Sequence, residues 1–96
     1  TQLGRVAALE LAKDKIRVNT VHPNAVFDTA IWTEEVLASR AARYGLSVEE
    51  YRTKNLLGVE VTSKDVAAMV CAMVGSEFSR TTGAQVPVDG GTERVV

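Results

Sequence analysis

The sequence predicts an α/β fold in which two short strands are separated by helices. Apolar residues recur at helical spacing over 2–13, and two segments rich in β-branched residues, 16–21 and 84–88, have the length of buried strands. Pro87 in the second segment indicates an edge position or a gap in the ladder, because proline has no N–H to donate. We expect the two strands to be parallel neighbours.

The first helix and the first strand both end at clear signals. Asp14 and Lys15 close the helical pattern, and Pro23 favours an extended His22 and stops further donation to the ladder. In an open α/β sheet, ligands bind at the carboxyl ends of the strands. Residues 23–29 are therefore the loop whose position best predicts a functional role.

The polar region 30–58 is typical of a lid made of two helices. Thr33 is a good N-cap for the first helix, which we expect to end in a left-handed turn at Gly45. Residues 47–50 have the Ser-x-x-Glu pattern of a capping box, which predicts a second helix running toward Leu57.

A final helix is predicted over 66–74, preceded by capping residues at 62–65 and ended by Gly75. The segment is apolar on nearly every side, whereas a helix on the protein surface should carry a polar stripe. We therefore expect both of its faces to be covered. Cys71 lies among apolar neighbours and is predicted to be a core residue.

Composition excludes several classes of function. The formal net charge of −1 gives no electrostatic footprint for nucleic acid or an anionic membrane, and the apolar segment 66–74 is far shorter than the roughly 20 residues that span a bilayer. A single cysteine cannot form an internal disulfide, so we expect a reducing, cytoplasmic setting. One histidine and one cysteine, without metal-ligand spacing, predict no metal site.

Three segments resemble the short-chain dehydrogenase/reductase family: Leu9-Glu10-Leu11-Ala12, the strand and turn at 16–26, and Val88-Asp89-Gly90-Gly91. The resemblance covers nearly all of residues 1–96 and implies the C-terminal part of a doubly wound Rossmann-type domain. The family's Gly-rich dinucleotide loop and Tyr-x-x-x-Lys pair would precede Thr1. We therefore expect the nucleotide-binding and catalytic part to be absent, and this chain alone to be inactive and to bind no cofactor tightly.

The resemblance also implies a nicotinamide contact, from NAD or NADP, at the turn after the first strand. Pro23-Asn24-Ala25-Val26 corresponds to the family's Pro-Gly-x-Val/Ile turn, with Asn24 at the glycine position, where asparagine tolerates a positive φ. The family usually has threonine five residues after the proline. Here that position is Asp28, so either the loop bulges to present Thr29, or Asp28 turns outward toward a substrate hydroxyl.

Three features of the lid and strand have two interpretations each. Trp32 either stacks on the substrate or pins the lid to the body. Basic residues of the lid either bind a phosphate or carboxylate or, as we prefer, form ion pairs with neighbouring glutamates; they are Arg40, Arg43, Arg52 and Lys54, interspersed with Glu34, Glu35, Glu49 and Glu50. His22 is predicted to be a half-buried strand-end residue with one hydrogen bond rather than an acid or base.

Two functions remain open. The first is a segment of an NAD(P)-dependent oxidoreductase that acts on an alcohol or ketone, supplying nicotinamide contacts, a substrate lid and a homo-oligomer interface through 66–74 and 84–88. The second is a non-catalytic oligomerisation or interaction module. The pattern at 31–34, with Asn24 and the shifted Thr29, resembles the branch fused behind a class II aldolase-like domain, which implies a small, sugar-derived substrate.

Overall fold

The computed structural model describes residues 2–91, and the predicted ends of the domain, Thr1 and residues 92–96, lie outside them. The described helices and strands follow one another in the predicted order, with three helices between the two strands. They are α1 (Gln2–Leu11), β1 (Thr20–Pro23), α2 (Glu34–Arg43), α3 (Val48–Arg52), α4 (Ser63–Val74) and β2 (Gln85–Val88), with 3₁₀ turns at Ala12–Asp14 and Ser76–Phe78.

The two strands form a parallel pair, which confirms the predicted pairing. The register runs from Thr20 opposite Gln85 to Pro23 opposite Val88. The first strand was expected at 16–21, but its ladder starts at Thr20 and includes Pro23. Proline is tolerated there because it occupies the last position of the strand, where its missing N–H interrupts little of the ladder.

The residues just before β1 bind the loop that leads to β2. A guanidinium nitrogen of Arg17 donates to the carbonyls of Met73 (3.0 Å) and Phe78 (2.7 Å), near the end of α4 and in the following 3₁₀ turn. The Asn19 side chain donates to the carbonyl of Thr81 and accepts from the N–H of Ala84. They act together with a backbone bond from the N–H of Gly83 to the carbonyl of Val18 (2.8 Å), so this stretch is joined to the approach to β2 before the regular ladder begins.

The lid helices begin where the sequence predicted. Thr33 accepts from the N–H of Val36, and Ser47 and Glu50 form both bonds of the capping box. The second lid helix was expected to run toward Leu57, but α3 ends at Arg52. The side-chain oxygen Oδ1 of Asn55 accepts from the N–H groups of Gly58 and Val59, an arrangement that forms a turn and is incompatible with a continuing helix.

Helix α4 packs against both strands through one face only. Met73 on that face is 7% exposed. Cys71 was predicted to lie in the core, and this was wrong, because the structure places it on the exposed side. Two positions along a helix correspond to about 200°, so Cys71 points away from the face that carries Met73. Within residues 2–91, Val70 and Val74, which flank Met73 on the helix, are 41% and 74% exposed, so apolar surface of α4 is left uncovered.

Candidate functional site

The chain leaves the sheet in a left-handed turn directly after β1. The N–H of Asn24 donates to the carbonyl of Val88 at 3.3 Å, so the pairing with β2 extends one residue beyond Pro23. The positive φ expected at Asn24 is found instead at Ala25, where φ is +56°. Because Asn24 is still held in the extended register of the ladder, the reversal falls on the next residue.

After the turn, the chain is tied to the segment that enters α4. Val26 forms an isolated parallel bridge with Val61. Phe27 and Val61 are both buried, at 7% and 4% exposure. The two stems of the lid, which precede α2 and follow α3, are thereby joined at the level of the cofactor turn predicted at 23–26.

Asp28 and Thr29 point to different surroundings. The Asp28 carboxylate accepts from the N–H of Ser63 (2.9 and 3.1 Å) and from its hydroxyl (2.9 Å). Thr29 donates its hydroxyl to the carbonyl of Val26 at 3.3 Å and lines the adjacent cleft. Of the two arrangements expected from the sequence, this geometry favours the one that presents Thr29, because the Asp28 carboxylate already has a hydrogen-bonding partner within the chain.

A cleft of about 520 Å³ opens at the carboxyl end of β1. It contains the whole predicted cofactor turn, together with Thr29, Trp32 and the start of α4. Its lining residues are Pro23, Asn24, Ala25, Val26, Thr29, Trp32, Ser63, Val66 and Ala67. Asp28 is not among them. No local pattern predicts the contact of Ser63 with Asp28, because it joins positions 35 residues apart.

A larger groove of about 690 Å³ lies at the end of β2. Most of its wall is aliphatic and comes from the base of the lid and from Pro87 and Val88. We take the smaller cleft as the candidate site. It combines an exposed backbone turn, a threonine hydroxyl and an aromatic wall, the few convergent polar groups on an apolar surface that small-molecule sites require.

The ring contacts of Trp32 support the second of its two interpretations, in which it pins the lid to the body, and its contact with a substrate stays a prediction. Its ring packs edge-on against buried Phe27, with centroids 4.7 Å apart, and Phe27 in turn contacts Tyr51 of α3 at 5.3 Å. These contacts hold the lid on the body. Trp32 is also only partly buried and forms one wall of the cleft, where a ligand would meet it.

Several basic residues of the lid already have partners within the chain. The Arg40 guanidinium lies 5.8 Å from the ring centroid of Trp32, and the Lys54 ammonium lies 4.5 Å from that of Tyr44. Arg52 forms an ion pair with Glu34 at 3.6 Å. Ion pairs with glutamates were the preferred expectation, and among these three residues Arg52 alone forms one, since Arg40 and Lys54 contact aromatic rings instead.

His22 has the single hydrogen bond that the sequence predicted. Its Nε2 lies 2.6 Å from Oε1 of Gln85 on the neighbouring strand, and the residue is half-buried. In residues 2–91 no group of three or more His, Cys, Asp or Glu side chains is arranged to hold a metal ion. None of the helices described for this chain is both long enough and apolar enough to cross a membrane.

Comparison with known proteins identifies the family to which this chain belongs. A family model described as Enoyl-(Acyl carrier protein) reductase matches residues 1–93. A solved short chain dehydrogenase family protein from Francisella tularensis superposes with a TM-score of 0.73 at 30% identity, over 96% of this chain and 39% of that chain. The chain therefore belongs to the short-chain dehydrogenase/reductase family, and its α/β architecture, with two parallel strands and flanking helices, matches the Rossmann-type fold of that family.

Two relatives illustrate the range of similar proteins. "Uncharacterized oxidoreductase YuxG" of Bacillus subtilis is 38% identical over 96 residues, which cover 95% of this chain and 14% of the relative. The (-)-isopiperitenol/(-)-carveol dehydrogenase of Mentha piperita is 32% identical over 93 residues, covering 95% of this chain and 33% of the relative. The chain thus spans a third or less of the length of these relatives.

Proposed function

We propose that this chain is the C-terminal segment of an NAD(P)-dependent oxidoreductase that interconverts an alcohol and a ketone. The observation that carries the proposal is the cleft at the end of β1, where the turn at 23–26, the hydroxyl of Thr29 and the ring of Trp32 converge. In parallel α/β sheets, this edge is where ligands bind. The intact protein would supply the cofactor's phosphate anchor and the proton-transfer residues.

The residues present fit the nicotinamide end of such a cofactor. No charged side chain lines the cleft within residues 2–91, which suits an uncharged carboxamide group. The backbone of 23–26 is the proposed partner of that carboxamide, and the Thr29 hydroxyl is a second polar contact. When bound, the cofactor supplies hydride transfer, while these residues orient its ring and Trp32 excludes water from the substrate side.

The substrate is proposed to be a small alcohol or ketone. The Mentha piperita relative is a carveol dehydrogenase by name, which supports an alcohol as the substrate class. A sugar-derived substrate and fusion to an aldolase-like domain remain part of the proposal. The match to only 14% of the Bacillus subtilis relative supports the fusion, because that relative contains far more chain than one such segment.

The proposal includes assembly into a homo-oligomer through α4 and β2. Its support is the apolar outer face of α4, on which Val74 is 74% exposed. We retain the cytoplasmic location as part of the same proposal, supported by the lone Cys71. The alternative function, a non-catalytic interaction module, requires the same apolar face but assigns no role to the cleft.

Substitution of Trp32 in the intact protein tests the proposed site. A panel of secondary alcohols that includes carveol first identifies the alcohol that the wild-type protein oxidises best. Trp32→Ala removes the wall of the cleft, and we expect it to raise KM for that alcohol about tenfold. The Kd of NAD(H) or NADP(H), measured by calorimetry, should change much less. Trp32→Phe is the matched control, because it keeps an aromatic ring against Phe27 and should retain most of the activity.

Two results would count against the site. An intact protein that neither binds a nicotinamide cofactor nor oxidises any alcohol would favour the interaction module. A Trp32→Ala variant with weakened cofactor binding and an unchanged KM would place Trp32 on the cofactor side of the cleft and not over the substrate.

A further inference from the structure

The contact between Asp28 and Ser63 lies directly beside the candidate site. Ser63 donates its N–H to both carboxylate oxygens of Asp28, at 2.9 and 3.1 Å, and its hydroxyl to one of them at 2.9 Å. Both partners adjoin the cleft, since Thr29 follows Asp28 and Ser63 is itself part of the wall. The contact therefore joins the loop after β1 to the beginning of α4.

A carboxylate is well suited to this position. Ser63 is the first residue of α4, and the N–H groups of the first helical turn have no partners within the helix and lie at its positive end. Asp28 satisfies the N–H of Ser63. Asp65 satisfies the neighbouring donor in the same way, accepting from the N–H of Thr62 at 2.8 Å. These bonds thus hold the charge of Asp28 against the start of α4, and Asp28 itself does not line the cleft.

We propose that Asp28 is a positioning residue for the cofactor turn, acting through Ser63 and not by touching the cofactor. Its bonds to Ser63 hold loop 26–29 in the shape that places the Thr29 hydroxyl in the cleft. They also keep a negative charge from entering a site for a phosphate-bearing ligand, which that charge would repel. This inference rests on the proposed function, and it assigns Asp28 a role different from the direct contact expected at this position.

The contact can be broken from either side without distorting the helix. Ser63→Pro removes both donors, and proline is favoured at the first position of a helix. The preceding residue, Thr62, already has the extended backbone that proline requires, with φ −113° and ψ 166°. Asp28→Ala removes the acceptor. Asp14→Asn, in the exposed 3₁₀ turn after α1, is the matched control for loss of one carboxylate.

The experiment measures two quantities on the intact protein and its variants. The first is hydrogen exchange, by mass spectrometry, of peptides that cover 24–33. The second is the Kd of the nicotinamide cofactor by calorimetry. We expect Asp28→Ala and Ser63→Pro each to speed exchange in 24–33 and to raise the Kd about tenfold. The double variant should be no worse than either single variant, because both remove the same contact. Asp14→Asn should change neither quantity.

The outcomes separate this inference from the proposed function. Unchanged exchange in both single variants overturns the inference, as do additive effects in the double variant or a normal Kd despite faster exchange. If the wild-type protein binds no nicotinamide cofactor, the proposed function fails and so does the cofactor role of Asp28. If both single variants then still exchange faster in 24–33, and the double variant no faster than either, Asp28 is the residue that orders the loop.

Discussion

At the scale of single residues, the left-handed backbone of Ala25, with φ +56°, is a source of strain in the cofactor turn. A side chain in this region costs about 1–2 kcal/mol, because Cβ approaches the following carbonyl oxygen. Glycine avoids that cost but loses roughly 0.5–1 kcal/mol through the greater freedom of its unfolded chain. We expect Ala25→Gly to raise the free energy of unfolding by up to about 1 kcal/mol in denaturant titrations.

The neighbouring residue provides the control for this prediction. Among residues 2–91, Lys15 and Ala25 are the non-glycine residues with positive φ, so Asn24 is not left-handed. Its N–H instead extends the ladder to Val88. Asn24→Gly should therefore lower the free energy of unfolding by roughly 0.5–1 kcal/mol. If Asn24→Gly raises the free energy of unfolding as much as Ala25→Gly does, the left-handed residue of the turn is Asn24.

At the scale of elements, the capping box of α3 should make the lid sensitive to acid. The N–H of Ser47 donates to the Glu50 carboxylate at 2.8 Å, and this bond, together with one to the Ser47 side chain, lowers the pKa of Glu50. A lowered pKa in the folded state stabilises the fold at pH values above the ordinary value. That contribution is lost as the pH falls below 4.5 and through the lowered pKa.

Glu50→Gln tests the capping box. The amide keeps an acceptor oxygen but does not titrate in this range, so the variant should be less stable than the wild type at neutral pH. We expect the difference in thermal midpoint to shrink as the pH falls below 4.5. Glu49→Gln, one residue earlier in α3, is the control for loss of a carboxylate that is not part of the capping box. A difference for Glu50→Gln that stays constant from neutral to acid pH would contradict the assignment.

The elements that the sequence predicted well are those set by neighbouring residues. The caps at Thr33 and Ser47, the left-handed turn at Gly45 (φ +70°) and the end of α4 at Gly75 all depend on short-range hydrogen bonds or on backbone freedom. The exposed position of Cys71 was missed because it depends on which face of α4 meets the sheet. Tertiary packing, and not local sequence, decides that choice.

The candidate site follows the same rule. The turn after β1 could be predicted because a strand that ends at Pro23 fixes where the sheet edge lies. The partner of Asp28 could not, because Ser63 is distant in sequence and looks like an ordinary helix-start residue. The shift of positive φ from Asn24 to Ala25 also depends on a long-range contact, the bond to Val88.

At the scale of the whole molecule, the described chain is elongated and leaves much apolar surface uncovered. Its radius of gyration is 16.3 Å, against about 12.5 Å for a compact domain of this length. Leu3 and Leu9 on α1 are 82% and 81% exposed. Surfaces of this kind are normally covered by other protein. On α1 that cover would be further chain of the same protein, and on α4 we expect a second copy.

Val74→Glu tests assembly through α4 in the intact protein. Val74 is 74% exposed within its own chain, so the substitution leaves the fold intact, but it places an unpaired charge in the proposed interface. Desolvation of such a charge costs several kcal/mol, which is a large part of the binding free energy that an interface of at least about 1,000 Å² provides. Sedimentation equilibrium should show the variant as a smaller species than the wild type at equal concentration.

Ser39→Glu, on the exposed surface of α2, should leave the assembly unchanged. If Val74→Glu sediments like the wild type while remaining folded, the outer face of α4 is not where the copies meet.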